Sequence, residues 1–118
     1  TKVICMIKKI FCLRGEKFFT KIYQSGRKIY TPFLRLYWIN NNLEFNRFGI
    51  VVSLKVSKRS TKRNLLKRRI RAIIKEEMPN LRQGFDILVI TNYKTITLSY
   101  KELKDNVLKL FYQANLLK

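Results

Sequence analysis

Asn64, Lys67, Arg68, Arg71 and Lys75 recur at three- and four-residue intervals, a spacing that gathers side chains on one face of a helix. Guanidinium and ammonium groups at that spacing bind phosphate. An amide among them can donate or accept toward a sugar, a base or a phosphate. Arg63 and Lys62 sit at the N-terminal end of the same segment, where unpaired backbone N–H groups and the helix dipole also favour anions. Like charges three or four residues apart repel by a few tenths of a kcal/mol per pair, about 0.2–0.5 in isolated helices. A merely solvated face would interleave Glu to relieve that repulsion. Here no acid occurs between Glu44 and Glu76, while eleven of the 26 Lys and Arg lie in that window, among them Lys55, Lys58 and Arg59. The pattern therefore predicts a face that binds a polyanion.

Other chemistries are excluded by the same inventory. With no His there is no Ser-His or Cys-His nucleophile pair, no imidazole base and no imidazole metal ligand. The seven carboxylates, Glu16, Glu44, Glu76, Glu77, Asp86, Glu102 and Asp105, form no short acid/base or metal motif. Cys5 and Cys12 stand in a C-x6-C spacing that matches no common zinc or redox motif and reads as two reduced thiols. Val3 to Ile7 is apolar, but Lys8 and Lys9 end it before a signal peptide or membrane span could form. Reduced thiols and the lack of a signal predict a cytoplasmic protein. A net charge of +19 on 118 residues points to nucleic acid first and an anionic membrane surface second.

The elements that must position these residues follow from periodicity. With 47% hydrophobic and 13% aromatic residues the chain can bury one core, and its length fits a single domain spanning 1–118. Phe18, Phe19, Ile22 and Tyr23 mark a short amphipathic helix over Gly15 to Gln24, with Gly26 expected at its C-terminus for its tolerance of positive φ. From Thr31 to Ile39, Leu34, Leu36 and Trp38 alternate with Phe33, Arg35 and Tyr37, which predicts a strand with one apolar face and one aromatic-basic face. Asn40, Asn41 and Asn42 read as a turn into a second strand, Phe48 to Leu54, the two forming a hairpin.

Ser60 to Met78, stopped by Pro79, is the long helix; Leu66, Ile70, Ile73 and Ile74 face the core, opposite Asn64, Lys67, Arg68, Arg71 and Lys75. Phe85 to Thr91 reads as a strand buried on both faces. Ser99 and Glu102 form a capping box before Leu103, Val107, Leu110, Phe111 and Ala114, a terminal helix. The predicted order is α-β-β-α-β-α, an α/β (α+β) domain with helices packed on a small sheet.

Residues 63–71, Arg63-Asn64-Leu65-Leu66-Lys67-Arg68-Arg69-Ile70-Arg71, resemble the R-N-x-x-K-R-x-x-R signature of the bacterial ribonuclease P protein family. Arg47-Phe48-Gly49 with Val52-Ser53 resembles the family's R-x-G and V-S-K-K strand. Phe19, Tyr23 and Gly26 resemble its first-helix pattern, and Gly84-Phe85-Asp86-Ile87 its third-strand start. Departures are Leu54 and Leu65 at usually basic positions, Ser60 for a common Ala and Ala72 for a frequent Glu. The two Leu remove two positive charges from the RNA side.

The resemblance implies the small protein partner of a catalytic RNA that removes the 5′ leader of precursor tRNA, with no catalytic side chain of its own. It implies no cofactor bound by the protein alone and Mg²⁺ held by the RNA. Its partners would be ribonuclease P RNA and precursor tRNA, one protein to one RNA, with no membrane. Lys55, Lys58, Arg59, Lys62, Arg63, Asn64, Lys67, Arg68, Arg71 and Lys75 would meet the catalytic RNA. Phe19 and Tyr23, with the strand residues Phe33, Arg35 and Tyr37, would form a cleft for the single-stranded leader, rings stacking on bases and Arg pairing phosphate. Trp38 is assigned to the core. The fold implied is that of the second domain of ribosomal protein S5, with a left-handed βαβ crossover against the usual right-handed rule. A basic ribosomal protein with a structural role is the alternative that shares this charge, size and fold class, and a membrane-surface binder is a third.

Overall fold

Phe85–Thr91, the most continuously apolar strand of the sequence, lies at the centre of a five-stranded sheet. The computed structural model describes residues 3–5, 16–52 and 58–118, with the backbone alone at 3–5 and 16–19. In chain order the elements are β1 (Val3–Cys5), α1 (Glu16–Ser25), β2 (Arg27–Tyr30), β3 (Leu34–Asn40), β4 (Arg47–Val51), α2 (Ser60–Glu77), β5 (Phe85–Thr91) and α3 (Tyr100–Gln113). Short 3-10 turns at Met78–Asn80 and Tyr93–Thr97 follow α2 and β5. The sheet runs β1-β4-β5-β3-β2. β4 and β5 are parallel, joined through α2, and the other pairs are antiparallel. The domain is α+β, as expected, with two more strands than the sequence pattern disclosed.

The expected hairpin of Thr31–Ile39 with Phe48–Leu54 does not form. β5 inserts between β3 and β4, with Trp38 opposite Ile87 on one side and Phe48 opposite Ile87 on the other. The reason is burial: Ile87, Leu88 and Val89 are buried, and consecutive buried residues mean both faces are covered, which belongs at a sheet centre. The asparagine segment crosses the start of β5 instead of making a tight turn. The Asn41 amide N–H donates to the Gly84 carbonyl at 2.9 Å. Asn46, buried, donates through Nδ2 to the Arg82 carbonyl at 2.7 Å and accepts from the Phe85 N–H at 2.8 Å. The true hairpin is β2–β3, closed by Thr31, whose hydroxyl oxygen accepts from the Phe33 and Leu34 N–H groups.

Two cores follow from strand alternation. On one face Leu34, Leu36, Trp38, Phe48, Ile50, Ile87 and Val89 meet α2 and α3. On the other, Ile22 of α1 packs with Tyr37, Val51 and Leu88. Gly26 ends α1 for lack of room and not for its φ: a Cβ there would collide with the Ile22 carbonyl and stand 3.1 Å from that of Trp38. The capping box of α3 forms as read, Ser99 and Glu102 each accepting from the other's backbone N–H.

Arg47, one of the cations in the acid-free window of the sequence, is bound to Asp86. Its Nε donates to Oδ1 at 2.8 Å and its Nη2 to Oδ2 at 2.7 Å, while Asn41 Nδ2 also donates to Oδ1. This pair fixes the register of β4 on β5, where the two residues are opposite. Removing one member of a buried pair leaves an uncompensated charge, a loss of about 3–5 kcal/mol. Asp86→Ala is expected to lower the urea-unfolding free energy by about that amount, and a change under 1 kcal/mol would show the pair to be incidental.

Candidate nucleic-acid interface

α2 carries the basic motif on eighteen residues. Leu66, Ile70, Ile73 and Ile74 are buried in the main core, which orients the rest of the helix outward. Its first turn holds no acid, and Arg59 at the N-cap provides no side-chain cap, so the N-terminal amides stay open to an anion. Thr61, Asn64, Lys67, Arg68 and Arg71 line one depression of about 510 Å³. Four of these five are motif residues read from sequence.

Lys67 departs from the expected exposed position and is only 3% exposed. It lies two turns from Ile74, about 20° away around the helix, and so sits at the margin of the buried stripe. Nε of Arg71 is also buried and has no hydrogen-bond partner within the protein. An unmet buried donor is costly, about 1–3 kcal/mol, and an anion seated in the depression would relieve it. Lys58, Arg59, Lys62, Arg68 and Lys75 are exposed and Arg63 is partly buried. Lys55 lies outside the described residues.

A second surface lies on the α1 side of the sheet. The β2–β3 register sets Lys28 opposite Tyr37 and Tyr30 opposite Arg35, so these four side chains share a face. With Ile29 they line a depression of about 330 Å³. Tyr23 of α1 stands beside it, 48% exposed, its ring edge-on to Tyr37 with centroids 5.1 Å apart. Three tyrosine rings and two cations thus lie together, a composition suited to stacking unpaired bases while pairing their phosphates.

Lys28 and Tyr30 were not singled out from sequence. The signal was their alternation with Arg27 and Ile29 in a strand only four residues long. Phe33 does not join them: it precedes β3 in the Thr31 turn and packs against the main core. Trp38 is buried in that core, as assigned. Phe19 belongs to α1, but its side chain lies outside the described residues.

Four of the seven acidic side chains serve the fold. Asp86 pairs with Arg47, Glu76 with Lys104 at 2.8 Å, Glu77 accepts from Asn80, and Glu102 caps α3. Among the described residues no three His, Cys, Asp or Glu side chains converge as metal ligands. Among them, too, no helix is long and apolar enough to cross a membrane.

A family model described as ribonuclease P matches residues 7–115. The ribonuclease P protein component of Synechocystis is 34% identical over 112 residues, covering 94% of this chain and 90% of that protein. That of Mycoplasma genitalium is 39% identical over 107 residues, covering 91% and 80%. Among solved structures, the ribonuclease P protein of Thermotoga maritima superposes with a TM-score of 0.79 at 27% identity, over 86% of this chain and 96% of that one. A mutant ribonuclease P protein of Staphylococcus aureus shares the fold with a TM-score of 0.87 at 24% identity, over 92% of each chain.

Burial first, and the neighbouring Tyr37 second, hold the Tyr23 phenol above its ordinary pKa. The fold therefore favours the neutral phenol. Its contribution to stability is complete below the unfolded value of about 10 and is lost as pH rises through the raised folded value. Denaturant melts taken across this range should show the decline in the parent chain and a smaller one in Tyr23→Phe. Identical declines would place the titration elsewhere.

Proposed function

The chain belongs to the ribonuclease P protein family, and from that membership we propose how its two surfaces divide the work of a tRNA-processing endoribonuclease. The protein acts as a non-catalytic subunit. Ribonuclease P RNA carries the hydrolysis together with the Mg²⁺ it binds, and this chain holds RNA in position. The observation that carries the reading is the depression formed by Thr61, Asn64, Lys67, Arg68 and Arg71. It combines cations, an amide, a hydroxyl and an unmet buried donor on Arg71, the set that seats an RNA phosphate with its sugar. We assign it to the catalytic RNA, together with Lys58, Arg59, Lys62, Arg63 and Lys75 elsewhere on or near α2 and, on the sequence alone, Lys55.

The α1-side surface is assigned to the single-stranded 5′ leader of precursor tRNA. Tyr23 and Tyr37 offer ring faces and edges, Arg35 and Lys28 offer phosphate contacts, and Tyr30 extends the platform to the sheet edge. Phe19 is kept in this role as the matching first-helix position. Such a surface holds a strand without reading its sequence, because every base has a stacking face. One protein per RNA is the expected stoichiometry, since a chain of +19 repels its own copies.

The deciding experiment is reconstitution with ribonuclease P RNA and precursor tRNA over a range of Mg²⁺ concentrations. The protein should lower the Mg²⁺ requirement of the RNA and cleave nothing without it; cleavage by the protein alone would refute the non-catalytic assignment. Replacing Arg68 and Arg71 together with Ala should weaken RNA binding and flatten the salt dependence of log K, by about one unit per lost phosphate contact. An unchanged slope would remove these residues from the interface.

A further inference from the structure

α2 has a third side, and the motif reading does not account for it. Lys62, Leu65 and Arg69 follow one another at three- and four-residue spacing, on the flank opposite Lys67 and Arg71. They look onto the 3-10 turn Tyr93–Thr97. The groove between helix and turn measures about 240 Å³ and is lined by Lys62, Leu65, Leu66, Arg69, Thr95 and Ile96. Its chemistry differs from that of the phosphate-type depression on the other flank. Three of its six lining residues are aliphatic, and the Thr95 hydroxyl is already engaged, donating to the Asn92 carbonyl.

Leu65 is 41% exposed, an apolar side chain kept in solvent on a helix dense with cations. Lys62 and Arg69 bracket it from both ends, seven residues or about 10.5 Å apart along the axis. No carboxylate occurs among the described residues that line the groove. The turn that closes it carries Tyr93, 63% exposed, with Lys94 Nζ 6.0 Å from the ring centroid.

A phosphate alone would gain nothing from Leu65, Leu66 and Ile96, and an apolar peptide would gain nothing from the cations. A nucleotide uses both, because a base or ribose is flat and largely apolar on its face while its flanking phosphates are anionic. The groove also adjoins, on the same helix, the depression assigned to the catalytic RNA. We propose that it receives one unpaired nucleotide of ribonuclease P RNA, its base against Leu65, Leu66 and Ile96 and its phosphates at Lys62 and Arg69. Leu65, which stands where the family signature usually has Arg, is then a base contact in place of a charge contact. This rests on the reading of the chain as the RNA-binding subunit.

The test uses the full chain with ribonuclease P RNA, titrated over a range of salt concentrations. Leu65→Ala is expected to weaken binding about fivefold to tenfold, the low end of the range for a base packed on a side chain, with the salt slope unchanged. Lys62→Ala and Arg69→Ala should each flatten the slope by about one unit. Dimethyl sulfate probing of the complex should reveal a base in the catalytic RNA that is protected by the parent protein and reactive with Leu65→Ala. Thermal melts of Leu65→Ala should match the parent, since the side chain is largely solvated.

Tighter binding and a steeper slope for Leu65→Arg would make the groove a phosphate site and overturn the proposal. So would unaltered binding by Leu65→Ala, or protection of a base in precursor tRNA instead of in the catalytic RNA. Failure of the underlying reading looks different. In that case the parent chain binds ribonuclease P RNA no better than an unrelated RNA, and the double Arg68, Arg71 variant changes nothing.

Discussion

Ile87, Leu88 and Val89 are buried on alternating faces of one strand, and a strand of that kind needs cover above and below. The other elements answer that need. β3 and β4 take its two edges, α2 and α3 cover one face, and α1 covers part of the other. The incomplete cover is what creates the surface proposed for the leader. α1 is only ten residues long and inserts Ile22 beside Tyr37 and Leu88. Beyond it Arg35, Lys28 and Tyr30 stand in solvent. On the other face α2 must lie flat with Leu66, Ile70, Ile73 and Ile74 inward, and that orientation leaves its two flanks free to carry different chemistry.

Charge is distributed by the same logic. The few acids are drawn into holding elements together, Asp86 to Arg47 across the parallel strand pair and Glu76 to Lys104 between α2 and α3. Along α2 itself the cations crowd one another, and no acid precedes Glu76. In the free protein that arrangement is a self-repulsion tolerated because the buried stripe fixes the helix. RNA removes the repulsion by supplying the missing anions, so binding and folding stability are linked: a ligand that binds only the native state adds RT ln(1 + [L]/Kd).

The three helices, the central strand and the motif face were legible because each depends on a local period that burial obeys. The capping box of α3 was legible for the same reason, since Ser99 and Glu102 carry their partners within three residues. What sequence hid was non-local. Thr31–Ile39 and Phe48–Leu54 look like a hairpin because they are consecutive, but nothing in either says that Phe85–Thr91 will displace their pairing. The pairing of Arg47 was hidden because Asp86 is 39 residues away. Lys67 looked solvated because a helical wheel assigns faces by type, while its burial follows from a 20° proximity to Ile74. Lys28 and Tyr30 escaped because four residues are too few for a period to stand out. Their role appears only once Tyr37 and Arg35 lie beside them.

The two flanks of α2 proposed to meet RNA show why a helix suits that task better than a basic tail of equal charge. A flexible tail would present all its cations to any polyanion and lose conformational entropy on binding. On α2 the entropy is lost at folding, to the benefit of the core, and the side chains are already sorted by angle. Hydrogen-bond donors gather on the flank with Asn64 and Arg71. Aliphatic surface gathers on the flank with Leu65, at the same helical level. A duplex phosphate backbone can satisfy the first flank but not the second, which requires a nucleotide freed from stacking. On the proposed assignment, charge alone brings RNA to the helix, and the shape of the two flanks decides which RNA can use both.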